Sequence, residues 1–198
     1  MRFLTGILLV TLLGGCALPE GTPATLAPEA LPAPGTGTLR QDEVSVSLRS
    51  GPLQIKITPL SESVTRTTAP DTYRRLSGLA GRFRPEALRS SDSDSPELFL
   101  VSFYSESPDV PFVPEEIQLI SQGTRYRPTA IFPVTLSWGQ RRVAQRETEM
   151  AVYAFGAGVD LESSLVVAYG LVESSAWDAI LPRVRAERAR ARARGGAY

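Results

Sequence analysis

The chain has 198 residues, with no histidine, no asparagine, one cysteine (Cys16) and one lysine (Lys56). Each scarcity closes a class of chemistry. Without His there is no Ser-His-Asp or Cys-His catalysis, no His-bound zinc and no imidazole switch near neutral pH. A lone Cys excludes an internal disulfide and a Cys-based zinc cluster. Gly-x-Ser-x-Gly, the phosphate-binding P-loop and G-x-G-x-x-G are all missing. Catalysis, a resident metal and a cofactor are therefore not expected. Long apolar runs are missing too. Phe3 to Leu13 is the main one, an eleven-residue run broken only by Thr5, Gly6 and Thr11. A membrane span needs ~20 apolar residues, so this run reads as a cleaved leader.

The leader begins with the positive pair Met1-Arg2 and ends in Leu13-Gly14-Gly15-Cys16. That ending resembles the lipobox of bacterial lipoproteins. The resemblance implies cleavage between Gly15 and Cys16, a diacylglyceryl group on the Cys16 sulfur, and usually a further acyl chain such as palmitate on its new amino group. Two or more chains anchor a protein stably, whereas one binds only marginally. The implied partner is then the lipid bilayer, reached through acylated Cys16. In the same family an Asp after the Cys holds the protein in the inner membrane. Ala17 stands there, so the resemblance points to the outer membrane facing the periplasm, in an organism that has one.

Residues 16–40 carry the lipidated Cys and a Pro/Ala-rich stretch, with prolines at 19, 23, 28, 32 and 34. Such a segment has little to bury and favours extended geometry, so it reads as a tether. Residues 41–173 show β periodicity. Val44, Val46 and Leu48 alternate with polar residues, as do Leu53, Ile55 and Ile57. Leu98 to Tyr104 is apolar enough for a central strand buried on both faces. Further strands are expected at 117–121, 126–131, 134–138, 149–155 and 165–171. A small helix is expected after Asp71, with Tyr73, Leu76 and Leu79 on one face and Gly78 and Gly81 weakening it. About eight strands at this rhythm predict an all-β fold, an immunoglobulin-like antiparallel sandwich with one small inserted helix and a C-terminal helix. Glu149-Met150-Ala151-Val152-Tyr153-Ala154-Phe155 resembles strand F of that family, D-x-A-x-Y-x-C, in which the Tyr hydroxyl ties a corner. A lipocalin-type barrel is the rival, although its early G-x-W motif is absent.

Residues 174–198 form a C-terminal helix and a basic tail. Arg183, Arg185, Arg188, Arg190, Arg192 and Arg194 give residues 183–198 a net charge of +5, whereas residues 16–182 carry 14 basic and 20 acidic groups, a net −6. The arginines mostly alternate with alanine and would spray around a helix. They are candidates for binding anionic lipid headgroups or cell-wall carboxylates. Nucleic acid fits neither the compartment nor the absence of interleaved aromatics. Phe112, set among Pro108, Pro111 and Pro114, is a candidate anchor for a protein partner, or else packs inward. Asp92 and Asp94 lack the rest of a calcium loop. Glu147 and Glu149 share a strand face and would repel without an Arg neighbour. The expected function is a non-catalytic binding or scaffolding module held at the envelope by its lipid. A carrier enclosing a lipid or other apolar ligand is the alternative, and a hydrolase using paired carboxylates the third.

Overall fold

The computed structural model describes residues 30–91 and 94–195. They form a mostly antiparallel β structure of eleven strands in three sheets, with a C-terminal helix and two earlier helices. The largest sheet contains β1 (Val46–Ser50), β2 (Leu53–Pro59), β3 (Glu97–Ser105), β9 (Thr148–Phe155) and β7 (Ala130–Pro133), in the order β1-β2-β3-β9-β7. A second sheet runs β11-β10-β5-β6, from β11 (Val172–Ser174), β10 (Leu165–Tyr169), β5 (Ile117–Ser121) and β6 (Thr124–Tyr126). The short β4 (Val110–Pro111) and β8 (Arg142–Val143) pair with each other.

Period-two alternation sorts the side chains. Phe99, Val101 and Phe103 of β3, Ile55 and Ile57 of β2, and Ala151, Tyr153 and Phe155 of β9 point to one face. They share a single buried cluster with Ile117, Leu119, Leu165 and Val167 of the second sheet. Rings fill it: Phe103 stacks on Phe112 at 4.6 Å and meets Tyr169 edge-on at 5.7 Å, and Phe99 meets Phe155 edge-on at 5.5 Å. The Tyr153 hydroxyl, buried in this core, donates to Pro114 O at 3.0 Å. Its partner lies 39 residues upstream, so the tie bolts β9 to the turn entering β5. A local corner would bond a few residues away.

The opposite face of the first sheet is covered by a helix. The helix expected after Asp71 runs over Pro70–Ser90, 21 residues (α2), following the four-residue α1 (Glu62–Thr65). Leu76, Ala80, Phe83 and Ala87 fall on one stripe and pack on Leu98, Leu100, Phe132, Val152 and Ala154. Burial of that stripe outweighs Gly78 and Gly81, each costing about 1 kcal/mol against Ala, and the helix continues through Pro85.

Two further expectations change. The strand expected at 134–138 is instead a 3-10 turn, Leu136–Gln140, which rotates Trp138 inward to pack on Phe103 and Phe112. The strand expected at 126–131 divides into β6 and β7, which belong to different sheets.

The C-terminal helix α3 (Trp177–Gly195) buries Trp177, Ile180, Leu181, Val184, Glu187, Arg188 and Ala191. That spacing of three and four residues is one helical stripe, and it runs on through the arginine-rich part. Residues 32–39 lie against this helix and against the α1–α2 corner. Pro32 O accepts from Arg66 Nη1 at 3.0 Å and Thr36 O from Arg194 Nε at 3.0 Å. Leu39 forms a parallel bridge with Thr68. A Cβ at Gly37 would stand 2.1 Å from the Thr67 carbonyl carbon, so only Gly allows this approach.

Candidate functional site

α2 covers only part of the outer face of the first sheet, and the strand register shows where it stops. Beneath the helix the cross-strand rows are apolar: Leu98 opposite Ala154, and Leu100 opposite Val152. The next rows are polar. Ser47, Lys56, Ser102 and Met150 lie side by side on β1, β2, β3 and β9. Arg49, Gln54, Tyr104 and Thr148 form the row beyond. β1, β2 and β3 thus present a polar strip beside the helix, closed on β9 by Met150 and Thr148. The uncovered rows and the flank of α2 enclose an open groove of about 600 Å³, within the range of ligand sites.

Charge within the groove is one-sided. Arg49, Lys56 and Arg75 line it, and no Asp or Glu does. Lys56 makes an ion pair with Asp42 at 2.5 Å, with both side chains more than a third exposed, so the pair contributes little to stability. The hydrogen bond from Lys56 holds the Asp42 carboxyl below the ordinary carboxylate range. Arg75 is oriented by a neutral group, its guanidinium donating to Gln41 Oε1. Gln41 Nε2 in turn donates to Thr58 Oγ1 at 3.0 Å, and Thr58 shares a 2.8 Å hydrogen bond with Ser45. An amide anchored on the buried Thr58 hydroxyl, itself bonded to Ser45, therefore positions Arg75 without compensating its charge.

A second hollow of about 400 Å³ continues along the helix and shares Arg75, Leu100 and Met150 with the groove. Gly78, Leu79, Val134 and Arg82 make up the rest of its lining.

The residues singled out from sequence fall elsewhere. Phe112 is not displayed. It is 2% exposed, between Phe103 and Trp138. The neighbouring backbone is held too, since Val113 N donates to the Tyr169 hydroxyl at 2.9 Å beside the Tyr153–Pro114 bond. Three prolines stiffen this loop against the core.

The basic tail is helical through Gly195, with Arg188 buried and Arg183, Arg185, Arg190 and Arg194 exposed. Arg188, 7% exposed, donates to Ser63 O at 3.2 Å and pairs with Glu162 at 2.6 Å, which Arg185 also reaches at 3.3 Å. Glu187, 2% exposed, accepts from Thr38 N at 3.1 Å and Thr38 Oγ1 at 2.8 Å, and pairs with Arg194. Burial alone would raise its carboxyl, but the Thr38 hydrogen bonds and the Arg194 charge outweigh it and leave the group below its ordinary range. Arg190 stands 3.7 Å from Glu187, and Arg183 donates back to its own helix at Ala179 O. Arg192 lies in the same helix. Gly15 and Cys16 are outside the described residues, as is Asp92.

Of the carboxylate pair, Glu149 is 2% exposed and accepts from Thr135 Oγ1, while Glu147 is exposed. Both line a hollow of about 270 Å³ with Asp109, whose charge is matched by Arg142. Among the described residues no group of three or more His, Cys, Asp or Glu is placed to hold a metal. No helix among them is long and apolar enough to cross a membrane.

Comparison with family models, curated proteins and solved structures finds no match to this chain. The groove was missed in the sequence because its residues are unremarkable singly. The available signal was parity: Arg49, Gln54, Lys56, Ser102 and Tyr104 all hold outward positions on strands whose inward positions are apolar. Arg75 carried no such signal until α2 was placed.

Proposed function

We propose that this chain is an envelope lipoprotein, anchored through acylated Cys16, that works as a non-catalytic binding module for anionic ligands. The ligand face is the groove beside α2. The observation that carries this reading is its charge: Arg49 and Arg75 line it facing no carboxylate among the described residues, beside Lys56 paired with Asp42, in a body whose residues 16–182 are net −6. Cations gathered on one open surface of an acidic protein select anions by direct attraction and by steering. Hydroxyls of Ser102, Tyr104 and Thr148 supply hydrogen bonds beside them. A ring-filled inter-sheet core favours a module over a carrier with an internal cavity. Two sheets sharing that core also support an immunoglobulin-like sandwich, to which α2 adds a further layer.

Two measurements test the reading. Cys16→Ser abolishes fatty-acid labelling and leaves uncleaved precursor; normal processing of the variant overturns the anchor. The full chain carrying Cys16→Ser binds butyl phosphate, and Arg49→Ala with Arg75→Ala weakens binding at least tenfold. Butyltrimethylammonium binding as well as butyl phosphate overturns the anionic site.

A further inference from the structure

The groove does not end at its cations. Arg75 stands at a junction, with polar rows on one side and the apolar hollow of Gly78, Leu79, Leu100, Val134 and Met150 on the other. Arg75, Leu100 and Met150 line both spaces, so the two adjoin, and the second is apolar apart from Arg75 and Arg82. A purely anionic ligand would leave the apolar end wet. A purely apolar one would leave Arg49 and Arg75 facing no carboxylate among the described residues. Resting on the anionic-ligand reading above, we infer that the site takes a single anionic amphiphile: a phosphate or carboxylate head against Arg49, Lys56 and Arg75, and one alkyl chain along the flank of α2 over Leu79, Leu100, Val134 and Met150.

The geometry matches this ligand class at each end. The head meets guanidinium and ammonium groups with hydroxyls beside them, which suits an acceptor-rich anion. Gly78 leaves the hollow open, because a Cβ there would meet nothing within 4 Å. Met150, unbranched and polarizable, adapts to a flexible chain. The hollow, about 400 Å³, has room for a single chain and not for a bilayer surface, so the proposed occupant is one monomeric molecule.

Calorimetry on the full chain carrying Cys16→Ser tests this with four probes: dodecyl phosphate below its micelle concentration, butyl phosphate, dodecyltrimethylammonium, and anionic phospholipid vesicles. Dodecyl phosphate binds at least tenfold tighter than butyl phosphate, and dodecyltrimethylammonium does not compete with it. Gly78→Leu fills the hollow and removes the tenfold gain while leaving butyl phosphate binding intact, which also reports that the variant is folded. Arg75→Ala weakens both phosphates. Equal affinity for the two phosphates overturns the amphiphile but leaves the anionic groove standing. Failure of both phosphates to bind removes the groove as well. Dodecyl phosphate binding that Gly78→Leu and Arg75→Ala leave unchanged places the probe elsewhere and overturns the inference, as does tighter binding to vesicles than to the monomer.

Discussion

Replacing Phe112 by Ala removes a ring that stacks on Phe103 and meets Trp138 edge-on. A displayed aromatic would be lost at little cost to the fold. A core ring of this size costs about 3–5 kcal/mol, so Phe112→Ala lowers the denaturation midpoint by that equivalent. The proline spacing around Phe112 marked a stiff loop correctly, but its direction was not legible. It depends on Trp138 turning inward and on two tyrosine hydroxyls 40 and more residues downstream in the chain. Glu187 gives the pH prediction. Its folded carboxyl titrates below its ordinary unfolded value near ~4.3, so its contribution is present above that value and is lost as pH falls through the folded one. Glu187→Gln therefore flattens the acid limb of the stability curve and costs about 1–3 kcal/mol at pH 7, measured by urea unfolding across pH.

Single elements were legible where one physical signal dominated. β3 shows its place in its apolar run, which lies between β2 and β9. The extent of α2 was not visible, because Gly78, Gly81 and Pro85 all argue locally against a helix that only the sheet beneath it rewards. Gly81 is exposed, helical and open around its absent Cβ. Gly81→Ala is accordingly expected to stabilise the protein by about 0.5–1 kcal/mol, read as a raised melting temperature. α3 misled in the other direction. Arg alternating with Ala reads as a solvated spray, yet Val184, Glu187, Arg188 and Ala191 continue the buried stripe begun at Trp177. The arginines are tolerated there because Glu162, Glu187 and the Ser63 carbonyl face them.

At the scale of the molecule, α3 is tied to residues 36–38 at the start of the described body. Truncation after Pro182 removes Glu187 and Arg194, which hold Thr38 and Thr36. The truncated protein is expected to lose stability and to become protease-sensitive at 32–39, so it is no neutral probe of membrane binding. Arg183→Gln with Arg190→Gln is the cleaner probe. It leaves the fold intact and, where the tail meets anionic lipid, lowers vesicle binding in a salt-dependent way in sedimentation. The same junction has a mechanical meaning. A pull delivered through the residues before 31 arrives first at Pro32, Thr36 and Thr38, which are held by Arg66, Arg194 and Glu187 at separate points. Under load these separate contacts are expected to break before the bridge between Leu39 and Thr68. The strand ladders behind them bear nothing until that series is spent. Where the residues before 31 serve as a tether, residues 32–39 are thus expected to peel away first under tension, while the sheets and the groove keep their shape.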